Sequence, residues 1–197
     1  MGTLMGSKNS SSSSQVGPGT RSVAFLRGMN LGRRRVTNVE LVEIFEAMGF
    51  KDVAPFLASG NVVFRSGRNT PDLENKIEAG LKSALQYNVR VFVRSEDEVR
   101  SMAACQPFSA AELGRSDGKA QVILLEAALG AAARRKILAF ASDEDRLAPG
   151  KREVFWLPAG RLTDSVLDLK GIERVVGETT IRTKNTMERI AKRFLQT

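Results

Sequence analysis

Between residues 22 and 94 the apolar residues alternate between strand-like and helix-like spacing in the order β-α-β-β-α-β. That order constrains the fold more than any other feature. It is the split βαβ, or ferredoxin-like, unit, and it fits without a long structureless loop. Val23 to Arg27 is the first strand. Thr37 with Glu40 then matches a capping box, and Leu41, Ile44, Phe45 and Met48 share one helical face before Gly49 ends the helix. Val53–Leu57 and Asn61–Phe64 read as strands flanking the turn residues Ala58-Ser59-Gly60-Asn61. Thr70-Pro71 opens a second helix, whose stripe is Leu73, Ile77, Leu81, Ala84 and Leu85. After Asn88, Val89, Val91 and Val93 alternate with Arg90, Phe92 and Arg94, as in a half-buried strand.

A second pass of the same order follows. Ser95 with Glu98 starts a short helix through Met102, and residues 105–118 read as a linker. Ala120–Leu125 is an apolar strand and Ala128–Phe140 an alanine-rich helix. Arg146–Ala148 reads as a short strand, and Glu153–Leu157 as a strand carrying Trp156. Asp164–Val176 fits one helix or, because of Gly171, two short pieces. Thr179–Arg182 closes the second sheet, and Met187, Ile190, Ala191 and Phe194 repeat at helical spacing after a Thr183 cap. The expected fold is α+β: two ferredoxin-like halves packed as one compact unit, plus a C-terminal helix. The division is a disordered leader or tag over residues 1–20, a first half over 21–104, a linker over 105–118 and a second half over 119–197. The serine-rich leader has too little apolar surface to bury a face, and it lacks the apolar region of a signal peptide.

Composition removes whole classes of chemistry. Histidine is absent, which excludes a Ser/His/Asp triad, a Cys/His pair and a histidine zinc site. Cys105 is the single cysteine, so neither an internal disulfide nor a thiolate cluster forms within one chain, and a reducing cytoplasm fits best. No apolar run approaches the ~18 residues of a membrane span. The net charge of +8, from 30 Lys+Arg against 22 Asp+Glu, favours anionic partners.

Three polar stretches are candidate sites. In Arg27-Gly28-Met29-Asn30-Leu31-Gly32, glycines let backbone amides approach an anion and Arg27 adds charge. Alternatively, the stretch is a strand-to-helix connection that needs glycine for positive φ. Ser59-Gly60-Asn61 puts a hydroxyl and an amide at a hairpin tip, where turn geometry alone also accounts for them. Thr180 to Thr186 combines Arg182 and Lys184 with a capped helix start, which is either an anion site or a solvated basic face. Asp143-Glu144-Asp145 has the oxygen ligands for Mg²⁺ but reads better as a solvated loop. Phe155 and Trp156 have the chemistry to stack on a base, though strand spacing puts at least one in the core.

These stretches resemble a known family. Leu26-Arg27-Gly28-Met29-Asn30-Leu31-Gly32 is similar to the opening LRGINVGG-type motif of the bacterial family called domain of unknown function 1697. Ser59-Gly60-Asn61-Val62-Val63-Phe64 resembles its SGNVVF motif, and Thr180-x-Arg182-x-x-Asn185-Thr186 its TxRNWNT motif. Ser165-Val166-Leu167 falls where the family has a Ser-x-Leu segment. The likeness runs from about residue 21 to 195. It departs at Arg33, where the family has glycine, and at Thr183-Lys184, where it has Asn-Trp. The resemblance implies two ferredoxin-like halves and no established activity.

The resulting expectation is a bacterial cytoplasmic protein that binds an anionic small molecule or nucleic acid. Its site would comprise Arg27, Gly28, Asn30, Ser59, Gly60, Asn61, Arg182, Asn185 and Thr186, with no metal, no cofactor and no membrane. One alternative is a histidine-independent enzyme on a phosphorylated or nucleotide substrate, which needs a carboxylate or lysine beside the three motifs. Another is a partner-binding module that presents a sheet face. Against its RNA version, strand one offers only Phe25 and the hairpin only Phe64.

Overall fold

The computed structural model describes residues 19–30, 35–67, 70–116 and 118–195. The first half runs β1 (Thr20–Arg27), α1 (Asn38–Ala47), β2 (Lys51–Phe56), β3 (Asn61–Ser66), α2 (Thr70–Leu85) and β4 (Arg90–Ser95). Its strands form an antiparallel sheet in the order β2-β3-β1-β4. Next come α3 (Glu96–Ala104) and α4 (Ala110–Gly114). The second half runs β5 (Gln121–Leu125), α5 (Ala131–Leu138), β6 (Asp145–Pro149), β7 (Glu153–Pro158), a 3₁₀ turn (Leu162–Asp164), α6 (Leu169–Val176) and β8 (Thr179–Thr183). Its sheet order, β6-β7-β5-β8, matches the first strand for strand, and α7 (Lys184–Phe194) follows. The α+β fold of two ferredoxin-like units with a C-terminal helix is therefore as expected.

Helix starts follow the capping chemistry. The Thr37 hydroxyl accepts from the Glu40 amide at 3.2 Å, and the Glu40 carboxylate accepts from the Thr37 amide at 2.7 Å. Ser95 and Glu98 repeat the exchange at 3.2 and 2.8 Å. Ser109 and Glu112 do so again, which makes α4 a helical turn inside the stretch expected as a linker. The 162–176 segment is two pieces. Asp168 caps α6 by accepting from the Gly171 amide at 2.7 Å, and a Cβ at Gly171 would lie 2.5 Å from the Phe140 ring. Several boundaries shift by one to three residues: β1 begins at Thr20, within the expected leader, β2 begins at Lys51 rather than Val53, and α5 runs Ala131–Leu138 rather than Ala128–Phe140. The rest of the leader and the Leu31–Arg34 stretch lie outside the described residues.

Strand alternation sorts the core into layers. Ala24, Leu26 and Val62 face α1 and α2, with Leu41, Phe45, Leu73 and Ile77. Ile123, Val154 and Trp156 face α5 and α6, with Ile137 and Ile172. The opposite sheet faces share one central core. Val23, Phe25 and Phe92 from the first sheet join Val122, Leu124 and Phe155 from the second, with Val99 and Met102 of α3 and Met187 and Ile190 of α7. Phe25, Phe64, Phe92 and Phe155 are all buried.

Strand β4 is a sheet edge, and α2 covers it. Glu74 accepts from the Val93 amide at 2.8 Å and Glu78 from the Val91 amide at 2.9 Å. Four residues of helix advance about 6 Å and two of strand about 6.6 Å, so the pairing holds in register. Arg90 and Arg152 pair with the two carboxylates. An edge that invites strand addition is thereby closed.

Candidate functional site

Arg182 lies on β8, the strand of the second sheet that approaches β1, and its side chain crosses into the first half. Nε donates to Asn61 Oδ1 at 2.7 Å. Nη1 donates to Thr180 Oγ1 at 2.9 Å and to the Ile181 carbonyl at 2.8 Å. Nη2 donates to the carbonyls of Leu26 at 2.9 Å and Gly60 at 3.3 Å. These bonds occupy all the guanidinium N–H groups. None of the acceptors is a carboxylate, so a full positive charge is buried without a counter-charge. Burial lowers its pKa to about 10.

The hairpin tip is shaped to meet this side chain. Asn61, itself buried, donates from Nδ2 to the Phe56 carbonyl at 2.8 Å and to Ser59 Oγ at 2.9 Å. Its amide orientation is fixed, since Oδ1 must face the Arg182 donor. Gly60 has φ +73° and its carbonyl also accepts from the Leu26 amide at 2.7 Å. A Cβ at position 60 would sit 3.1 Å from Leu26 Cβ and 3.2 Å from the Leu26 carbonyl oxygen. Glycine therefore serves both conformation and close approach here.

Around this junction lies a cavity of about 210 Å³, bordered by Leu26, Gly28, Met29, Asn30, Ala58, Ser59, Thr180 and Arg182. The end of β1, the hairpin tip and β8 thus converge. Hydrogen bonding gives the cavity a polarity. The Leu26 and Gly60 carbonyls accept from Arg182, and the Ala58 carbonyl accepts from Asn30 Nδ2 at 3.3 Å. Ser59 Oγ accepts from Asn61 and Thr180 Oγ1 accepts from Arg182, which leaves each hydroxyl its proton to donate. No carboxylate, thiol or lysine is in the described lining, so it offers no metal-ligand set.

The expected residues divide around this cavity. Gly28, with φ +70°, and Asn30 border it. Asn30 Oδ1 also accepts from the Val36 amide at 2.9 Å, tying the two ends of its loop. Ser59 and Arg182 also border it, while Gly60 and Asn61 are not in the lining and instead accept from Arg182. Arg27 borders a separate cleft and pairs with Glu173 at 2.7 Å and Glu178 at 3.7 Å. Asn185 is exposed on the first turn of α7, and Thr186 bonds the Thr183 cap through its amide and its hydroxyl; neither borders the cavity. Lys184, where the resembled motif has tryptophan, is buried and reaches the Ala103 carbonyl at 3.0 Å. Both departures in that motif therefore face helix contacts. Thr180 is absent from the expected site residues, although two-residue spacing on a strand puts it on the same face as Arg182.

Other candidates resolve into structure. Asp145 is buried and accepts from Trp156 Nε1 and from Ser165 Oγ, both at 2.7 Å, so the Ser-x-Leu segment anchors to β6. Asp143 is fully exposed beside Arg146, so the three adjacent acids do not converge. The cleft next to Gly28 has a volume of about 620 Å³ and is bordered by residues of α2, β4 and the α6–β8 turn.

None of the curated proteins matches the chain. Among solved structures, a conserved bacterial protein from Streptococcus pneumoniae superposes with a TM-score of 0.67 at 17% sequence identity. The match covers 90% of this chain and 99% of that one, a likeness of fold. Among the described residues no helix is long and apolar enough to cross a membrane. The family model described as protein of unknown function DUF1697 matches residues 20–155, through the β1 loop and the hairpin tip that build the cavity, and the chain belongs to that family.

Proposed function

We propose that this protein binds a small oxyanion group, of the phosphate or sulfate kind, in the cavity between its two halves. The supporting observation is the uncompensated buried charge of Arg182 behind a wall whose remaining polar groups donate. An anion seated there offsets the cost of burying that charge. Ser59 and Thr180 donate to it directly, while Arg182 contributes its field rather than its N–H groups. The absence of a carboxylate or lysine from the described lining favours binding over proton-transfer catalysis. The small volume favours one oxyanion group over a polymer backbone.

Calorimetric titration at constant ionic strength tests the proposal. Phosphate or sulfate should bind the wild-type protein saturably, and chloride should not. The S59A/T180V double variant removes both hydroxyls, which also takes one acceptor from Asn61 Nδ2 and one from Arg182 Nη1, but it keeps the Arg182–Asn61 hydrogen bond, and it should lose at least tenfold in affinity. Equal affinity in the double variant, or an equal response to chloride, would refute the proposal.

A further inference from the structure

We infer that the oxyanion is the phosphoryl group of a sugar or polyol phosphate, with the hydroxylated body in the adjoining cleft; this rests on the anion reading above. The cavity of about 210 Å³ and the cleft of about 620 Å³ share Gly28, which has no side chain to stand between them. The cleft carries the donor and acceptor set that a polyol needs. Asn75 and Asn88 present exposed amides, and Glu78 and Glu178 present carboxylates. Arg90 holds these acids at 2.9 and 3.3 Å, fixing their positions while leaving lone pairs for further donors. Glu78 is fixed twice, because its Oε1 also accepts from the Val91 amide.

Two negative features narrow the class. Among the described residues no aromatic ring borders the cleft, so a nucleobase finds no stacking surface there. Among the described residues, Arg27, Lys82 and Arg90 line the cleft together with Glu78 and Glu178, and Arg90 pairs with both acids, so its charge is nearly balanced. A second phosphate gains little there, whereas a neutral hydroxylated body meets both donors and acceptors.

The test compares inorganic phosphate, glucose 6-phosphate and adenosine 5′-monophosphate by calorimetry on the full chain. Glucose 6-phosphate should bind at least tenfold more tightly than inorganic phosphate, and more tightly than the nucleotide. In N75A/N88A, two exposed positions outside the anion cavity, that advantage should vanish while phosphate affinity is unchanged. Phosphate binding without a gain for glucose 6-phosphate would overturn this inference and leave the anion site standing. A preference for the nucleotide, or an advantage that persists in N75A/N88A, would also overturn it. No binding of any of the three by wild-type protein would overturn both.

Discussion

A guanidinium taken out of water loses several kcal/mol of solvation even after the protein relaxes around it. Arg182 recovers part of that through hydrogen bonds to carbonyl, amide and hydroxyl oxygens, and those oxygens would otherwise be buried without donors. The side chain is therefore a junction as well as a source of field. Lysine keeps the charge but offers three donors on one nitrogen, without the planar fork that reaches both Asn61 and Leu26. Arg182→Lys should then destabilise the fold by about 2–4 kcal/mol, since each stranded buried acceptor costs about 1–3 kcal/mol. Chemical denaturation measures this, and a change below about 0.5 kcal/mol would show that the junction is not structural. It follows that Ser59 and Thr180 are the better probes of binding, because both can be changed without unpairing the guanidinium from Asn61.

At the scale of elements, the paired carboxylates of α2 make the edge of β4 distinct. Successive residues of a strand point their amides to opposite sides, so Val91 and Val93 face α2 while Phe92 faces β1. In E74A/E78A, amide hydrogen exchange should accelerate at Val91 and Val93 and stay slow at Phe92. Equal acceleration at all three would mean that the strand itself has loosened and that the carboxylates are not edge guards. The strands and helices of both halves were legible because alternation, helical stripes and capping pairs are local signals. Ser109 and Glu112 carry the same signature as Ser95 and Glu98, but no apolar stripe follows them, so α4 did not stand out. The match of Glu74 and Glu78 to Val93 and Val91 depends on how a helix lies beside an edge, which no local pattern encodes.

The whole molecule is built on a central core that both sheets and the helices α3 and α7 share, and this sharing brings the motifs together. Gly28, Asn30, Ser59, Gly60, Asn61 and Arg182 were legible as members of three separate polar stretches. Their meeting was not, because Arg182 and Asn61 are 121 residues apart and approach only when one half docks on the other. The same docking explains why Asn185 and Thr186, close to Arg182 in sequence, fall away from the cavity: β8 ends and α7 turns the chain toward α3. The junction between the halves buries the Arg182 charge without a carboxylate partner, and the proposed anion would meet it there. The most direct measurement is a crystal of the protein soaked in selenate, read by anomalous scattering at the selenium edge. A selenium peak is expected in the cavity, within hydrogen-bond distance of Ser59 Oγ and Thr180 Oγ1, with Arg182 still bonded to Asn61. An empty cavity at saturating selenate, with peaks only on exposed lysines and arginines, would contradict it.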